Sequence, residues 1–142
     1  FLISTSYDAG NGITVTMDET YNAGYTLDGG DNLYLYGYER TAGSGETIVG
    51  TWEFTYRIDT TTDDGSSPTT TYTDMTATMT FNANGTWTSS VVTKTDADPA
   101  GSTTTDSGTW DASDLTAGDY QLVDFNGRTF LHLADMPAYT RQ

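Results

Sequence analysis

The sequence contains no cysteine, one histidine, and only five lysines and arginines against twenty aspartates and glutamates. Without cysteine no disulfide can brace the fold, so packing, ions or assembly must stabilise it. The formal net charge of −15 argues against nucleic acid as a partner, because neutralising phosphates requires a basic face. The chain has no run of about eighteen apolar residues, so we expect no transmembrane helix and no membrane span.

Helix-forming residues are also scarce, with one lysine, four glutamates and no long apolar series at helical spacing. The chain instead holds thirty threonines, ten tyrosines and three tryptophans, which favour strands and bury large areas. Clusters of Gly, Asn and Asp supply turns. The composition predicts one all-β domain over residues 1–142, with about eight antiparallel strands, or nine if Leu2–Tyr7 pairs.

Alternating apolar and polar residues locate the strands. The clearest strand runs from Ile48 to Ile58, and a hairpin turns at Asn82–Gly85. Asn126–Gly127 is a strong two-residue hairpin signal. Asp59–Thr71 and Lys94–Thr105 are predicted to be long polar loops. The inward-facing residues predict a core that contains Trp52, Phe54, Met79, Phe81, Trp87 and Trp110.

Four short motifs carry a family resemblance. They are Gly-Thr-Trp at Gly50–Trp52, Phe-Asn-x-x-Gly-Thr at Phe81–Thr86, a later Gly-Thr-Trp at Gly108–Trp110, and the strand pair Tyr120–Leu133. Through them, residues 49–134 resemble the small bacterial lipocalin-like domains. The resemblance implies an antiparallel meander that curls into a barrel, usually on an exported protein.

The chain departs from that family at both ends. We expect a lipocalin-like core over residues 48–142, preceded by a strand extension over residues 1–47. After Leu133 the usual last strands look short, because Pro137 interrupts them. Too few strands remain to close a barrel. The fold is therefore a lipocalin-like barrel or a partly open β-sandwich, and the extension either completes the sheet or pairs with a neighbouring subunit.

A row of tyrosines is the most conspicuous surface feature. Tyr34, Tyr36 and Tyr38 alternate with Leu33 and Leu35. If the leucines face the core, the three rings lie outside as a binding or assembly surface that stacks on sugars or on another subunit. Alternatively, the rings line a cavity inside the barrel.

Catalytic patterns are poorly represented. The chain has no cysteine nucleophile and no Gly-x-Ser-x-Gly motif. His132 precedes Asp135 by three residues, but a structural role explains this histidine more simply than a catalytic triad. Glu39 is the best candidate for the acid of a sugar-cleaving pair, whereas Glu53 points away from the core. We expect no enzyme activity, with a hydrolase as the alternative.

Metal and modification signals are equally sparse. Oxygen ligands for calcium occur near glycines at Asp28 and Asp31, and again at Asp59, Asp63 and Asp64. These residues are also ordinary turn formers, so we expect no cofactor, with a structural calcium ion as the alternative. Asn84–Thr86 fits the N-glycosylation acceptor pattern, but a turn explains the Asn-Gly sequence better.

Two functions fit the sequence. The chain begins at Phe1 without a leader pattern, which predicts an extracellular or cell-surface protein after removal of a signal peptide. The first function is structural: self-association into an extracellular filament or surface layer through strand edges and aromatic contacts. The alternative is a lipocalin-like binding module for a small apolar ligand or a sugar.

Overall fold

The computed structural model describes residues 2–22, 24–27, 32–110, 120–133 and 138–140, and for 24–27, 32–36, 132–133 and 138–140 only the backbone. In this part of the chain every regular element is a β-strand, which confirms the all-β class. No helix in these ranges is long and apolar enough to cross a membrane. The strands are β1 (Leu2–Gly10), β2 (Ile13–Tyr21), β3 (Gly24–Leu27), β4 (Asn32–Tyr36), β5 (Tyr38–Ala42), β6 (Gly50–Asp63), β7 (Thr69–Phe81), β8 (Thr86–Thr95), β9 (Ser102–Thr109), β10 (Tyr120–Phe125), β11 (Arg128–Leu133) and β12 (Ala138–Thr140).

Nine of these strands form one antiparallel sheet. Its main path is β10-β11-β5-β6-β7-β8-β9, and the β1–β2 pair joins it through β6. The short strands β12, β4 and β3 form a second sheet. The larger sheet is not closed into a barrel, so the fold differs from the closed form that the family resemblance implies. Twelve strands occur in the described residues, compared with the eight or nine expected.

The fourteen-residue strand β6 organises the sheet, because three strands pair with it. On one edge it pairs with β7 along almost its whole length, from Gly50 opposite Phe81 to Thr62 opposite Thr69. Its other edge is shared. β5 pairs with residues 51–53, and β2 pairs with residues 56–63. We call the parts of the sheet beside β5 and beside β2 the base and the tip.

The two faces of the sheet follow the alternation in β6. Trp52 and Phe54 lie on one side, which we call the core face, and Glu53 and Thr55 lie on the other, the polar face. Antiparallel register carries this division across the sheet, since directly paired residues share a face. Met79, for example, lies opposite Trp52 on the core face.

The buried core lies at the base. Ile48, Trp52, Phe81 and Leu131 form its centre, and the indole nitrogen of Trp52 donates a 2.8 Å hydrogen bond to the Ile48 carbonyl. Of the residues expected in the core, Trp52 and Phe81 are therefore buried. Phe54 is half-buried outside this cluster. The partly buried side chains packed against the centre are Tyr38, Met79, Trp87, Trp110, Tyr120 and Leu122.

Two predicted loops are partly strand. β6 continues to Asp63 and β7 begins at Thr69, so only five residues separate them. The Oγ atoms of Thr61 and Thr70 lie 2.9 Å apart in this extension. Likewise, β9 begins at Ser102 rather than after residue 105. The prediction was wrong because it required apolar alternation, whereas these segments pair through backbone and hydroxyl hydrogen bonds.

Candidate assembly edges and a polar cleft

Strand β1 forms the outer edge of the tip. Among the described residues it pairs only with β2, and every β1 residue except Ile3 is exposed. Leu2 and Tyr7 expose 62% and 50% of their surface. The strand contains neither proline nor lysine, the residues that most often keep an edge from pairing with another chain. A register irregularity between Asp8 and Gly10 disturbs only its last residues.

Strand β9 is a second outer edge, at the base. In the described part of the chain only β8 pairs with it. Seven of its eight residues are exposed, with Gly108 half-buried. Serine and threonine dominate the strand, and it too lacks proline and lysine. The ring of Trp87 lies over Gly108, because a Cβ atom there would come within 2.8 Å of the indole nitrogen.

Asn22 stabilises the fork, which is the point on one edge of β6 where pairing with β2 ends and pairing with β5 begins. Its backbone N–H donates to the Thr55 carbonyl at 3.2 Å. Its side-chain oxygen accepts from the Thr55 N–H at 2.8 Å, and its amide nitrogen donates to the Glu53 carbonyl at 3.3 Å. The side chain thus satisfies β6 backbone groups between its two partner strands. Nothing in the sequence singled out this residue, because an asparagine after a strand resembles an ordinary turn residue.

The predicted tyrosine row is divided between two sheets. Tyr34 and Tyr36 belong to β4, and Tyr38 begins β5, so the three tyrosines do not lie on one strand, as their alternation with leucine had suggested. The side chains of Tyr34 and Tyr36 lie outside the described part of the structure. Tyr38 is half-buried, with its ring centroid 5.8 Å from that of Phe54, and burial raises the pKa of its phenol. Gly37 separates the two strands.

Tyr38 instead belongs to an aromatic group on the core face. The ring of Tyr21 lies 6.1 Å from that of Phe54 and 5.0 Å from that of Tyr56. Tyr21 reaches this group because it pairs directly with Tyr56 across the β2–β6 ladder. Alternation within a single strand does not reveal this group, because it does not give the cross-strand register.

A polar cleft of about 550 Å³ opens beside the base. The Arg40 guanidinium lies 4.6 Å from the Trp52 ring and donates to the carbonyls of Gly45 and Thr47 at 2.8 and 2.6 Å. Its Nε atom is buried and has no hydrogen-bond partner among the described residues. The cleft is also lined by Glu46, Tyr120, Leu122, Asp124 and Thr129. Charged, hydroxyl and aromatic groups together suit a hydroxyl-rich ligand.

Glu39 does not have the properties of a proton-donating acid. Its carboxylate pairs with Arg128 on the neighbouring strand β11, with Arg128 Nε 2.6 Å from Oε1. This hydrogen bond holds the pKa of Glu39 below its ordinary value, whereas a general acid requires a raised pKa. Glu53 lies directly opposite Glu39 on the polar face. The His132 side chain and Asp135 lie outside the described residues.

Three of the candidate calcium ligands, Asp59, Asp63 and Asp64, form local hydrogen bonds. Asp59 accepts from Arg57 at 2.9–3.2 Å, which lowers the pKa of Asp59. Asp63 and Asp64 accept from backbone N–H groups two residues later at 2.8 and 3.0 Å, as turn-forming aspartates do. No group of three candidate metal ligands occurs in the described ranges. Asp28 and Asp31 lie outside them.

The Asn84–Thr86 segment forms a turn. The Asn84 side-chain oxygen accepts from the backbone N–H and the hydroxyl of Thr86 at 3.1 and 2.7 Å. Gly85 adopts a positive φ of 81° between them. The turn explanation of the Asn-Gly sequence thus has a direct structural basis.

Comparison with models of protein families, with curated proteins and with solved structures finds no match to this chain. The lipocalin-like resemblance therefore depends on the short sequence motifs alone, and the two edges and the cleft carry the functional argument.

Proposed function

We propose that this protein is an exported, non-enzymatic structural subunit that joins copies of itself into an extracellular filament or surface layer through the edges of its sheet. One observation carries the proposal: two exposed edge strands, of nine and eight residues, contain neither proline nor lysine and carry only one charged residue each. The lipocalin-like motifs support the exported location.

The edges are suited to pairing through hydrogen bonds rather than through apolar burial. Their residues are serine, threonine, alanine or glycine, apart from Leu2, Ile3, Tyr7, Asp8 and Asp106. Each backbone hydrogen bond contributes about 0.5–1.5 kcal/mol net, so a ladder along a whole strand yields a substantial sum. Exposed Tyr7 adds an aromatic contact at the β1 edge.

Charge opposes this association. Every copy carries a formal charge of −15, so copies repel one another at neutral pH. Because salt screens exposed charges over about 8–10 Å at 0.1–0.15 M ionic strength, assembly is expected to increase with salt. Hydrophobic aggregation after acidification is a different process, so assembly must be tested at neutral pH.

The test is the native mass at neutral pH, measured by light scattering over a range of protein and salt concentrations, with electron microscopy of the largest species. Structural assembly predicts polymers that grow with concentration and salt and retain the β-sheet circular dichroism spectrum. A monodisperse monomer under all these conditions overturns the proposal.

The cleft beside Arg40 favours a second candidate function, a binding module for a sugar. Its carboxylate, hydroxyl and tyrosine groups match the donors, acceptors and stacking surface that a sugar presents. Thermal denaturation with a panel of oligosaccharides tests this function. A stabilising sugar should lose its effect in Asp124→Asn, whose matched control is Asp106→Asn on β9. If no sugar raises the melting temperature of the natural chain, this function is excluded for the panel.

A further inference from the structure

We infer that the assembly interface is heterologous: β9 of one copy pairs antiparallel with β1 of the next copy, in one register. The inference rests on the proposed structural function and specifies its partner, a second copy of this chain. It follows from the direction of the two edges, the faces of their side chains and the residues that pairing would bring together.

The directions of the two edge strands allow pairing by simple repetition. The path β1-β2-β6-β7-β8-β9 contains six strands, and each neighbouring pair is antiparallel. Because the number of strands is even, β1 and β9 run in opposite directions. A copy that is displaced without being reversed therefore places its β1 antiparallel to β9 of the first copy. Its core face also continues the core face of the first copy.

Matching the faces then fixes the register. Residues 3, 5 and 7 of β1 lie on the core face, as do residues 104, 106 and 108 of β9. Of the antiparallel registers that keep the faces aligned, only one pairs all eight residues of β9. In it, residue 102 of β9 lies opposite residue 9 of β1, and residue 109 lies opposite residue 2. It places Ile3 opposite Gly108 and Ser6 opposite Thr105.

The side chains in this register are complementary. Ile3 approaches the one position of β9 without a side chain, where the ring of Trp87 already lies over Gly108. The β1 isoleucine therefore gains an aromatic neighbour. An aromatic ring that covers an edge glycine in this way is a recognised means of fixing strand register.

Polar pairs continue the same pattern. Ser6 opposite Thr105 repeats a contact that already occurs within the chain, where the Ser6 and Thr16 hydroxyl oxygens lie 2.7 Å apart and those of Thr51 and Thr80 lie 3.1 Å apart. The acidic residue of each edge, Asp8 and Asp106, falls on opposite faces, so the register does not set the two carboxylates side by side.

The pairing also predicts the geometry of the polymer. Direct pairing across the strands aligns Ile3 with Glu19 and then with Ile58 of β6. In the same way, Gly108 is aligned with Gly50 of β6 by way of Trp87 and Phe81. Each copy is therefore displaced by eight residues along the strands, or about 26 Å at about 3.3 Å per residue. Repetition of this step leaves an unused edge at each end, as in a polar filament.

Cysteine cross-linking tests the interface directly, because the natural chain has no cysteine. Ser6→Cys and Thr105→Cys are made as separate variants, mixed and oxidised. The register predicts disulfide-linked heterodimers from the mixture and none from either variant alone. Mixing Thr5→Cys with Thr105→Cys is the matched control, since these side chains lie on opposite faces and should not cross-link.

Edge-blocked variants give an independent readout. Proline removes the backbone donor of its own residue. Of two adjacent residues in an edge strand, one points its N–H outward and the other points it into the sheet. One variant of the pair Thr104→Pro and Thr105→Pro therefore removes a β9 donor that the neighbouring copy needs. One variant of the pair Thr5→Pro and Ser6→Pro does the same on β1. The inward position of each pair serves as the control for loss of stability, and circular dichroism verifies folding.

The blocked variants distinguish the alternatives. A β1-blocked and a β9-blocked variant should each lose polymerisation but together double their native mass, since each retains the edge that the other needs. Disulfides from Ser6→Cys alone or Thr105→Cys alone, or polymers that persist in both blocked variants, overturn the β9-to-β1 pairing while leaving assembly itself intact. A natural chain that remains monomeric overturns the proposed function and the pairing together.

Discussion

Replacing Asn22 should weaken the fork that attaches the β1–β2 hairpin to β6. The alanine variant removes the hydrogen bond from the Thr55 N–H and the one to the Glu53 carbonyl, while the backbone bond from residue 22 to the Thr55 carbonyl remains available. Both lost bonds are part-buried, so water replaces them incompletely. At about 0.5–1.5 kcal/mol for each bond, Asn22→Ala should lower the free energy of unfolding by about 1–3 kcal/mol.

Asn22→Asp provides a sharper comparison, because it keeps the shape, removes the donor and adds a negative charge. Its oxygen still accepts from the Thr55 N–H, but a second carboxylate now replaces the asparagine amide that helps to lower the pKa of Glu39. Repulsion between the carboxylates raises their pKa values. The destabilisation should therefore be larger at pH 7 than at acidic pH, where one of the carboxylates is protonated.

Urea denaturation followed by circular dichroism measures the global effect, and amide hydrogen exchange of β1 and β2 measures the local one. Asn84→Ala is the matched control. It also removes two side-chain hydrogen bonds, but in an exposed turn, so its cost should be smaller. If Asn22→Ala costs no more than the control and leaves β1–β2 exchange unchanged, the fork does not depend on Asn22.

Three further perturbations test the base. Since its ion pair with Arg128 lowers the pKa of Glu39 below the ordinary 4.5, that stabilisation should be present above this pH and lost as pH falls through the folded pKa; Glu39→Gln should flatten this part of the stability–pH curve. Gly50→Ala should destabilise far more than Gly127→Ala in urea titrations. Both glycines have positive φ, but only at Gly50 would a Cβ meet a backbone oxygen, at 2.4 Å. Trp52→Phe should cost about 1–3 kcal/mol by leaving a buried carbonyl unpaired, and Trp52→Ala about 3–5 kcal/mol, both measured by chemical denaturation.

Alternation located the strands of the base well, because burial on one face forces a period of two. Trp52 and Phe81 both came from this signal, and both are buried. The Asn126–Gly127 turn could also be predicted from the sequence, because a tight hairpin requires positive φ at both residues. Their φ angles are 51° and 76°. In these places local sequence and global packing impose the same pattern.

Where neither face is buried, the pattern disappears. The tip ends of β6 and β7 and nearly all of β9 expose threonine and serine on both sides, so their sequence resembles a loop. The fork on β6 has no local sequence signature either. It depends on which of two distant strands, β2 or β5, pairs with each part of one β6 edge. The polar cleft beside Arg40 was not predicted either, because its lining residues are separated by about eighty positions along the sequence.

The weak apolar content of the outer strands links stability to assembly. β1 and β9 bury little side-chain surface, and a strand with one neighbour has only half of its backbone groups in a ladder. In an isolated copy these strands should therefore exchange their amide hydrogens fastest within the sheet. Pairing β9 with the next β1 would supply the missing half of both ladders at once. Assembly should then slow exchange at these two strands more than at the already enclosed β7, a difference that general crowding or non-specific aggregation would not produce.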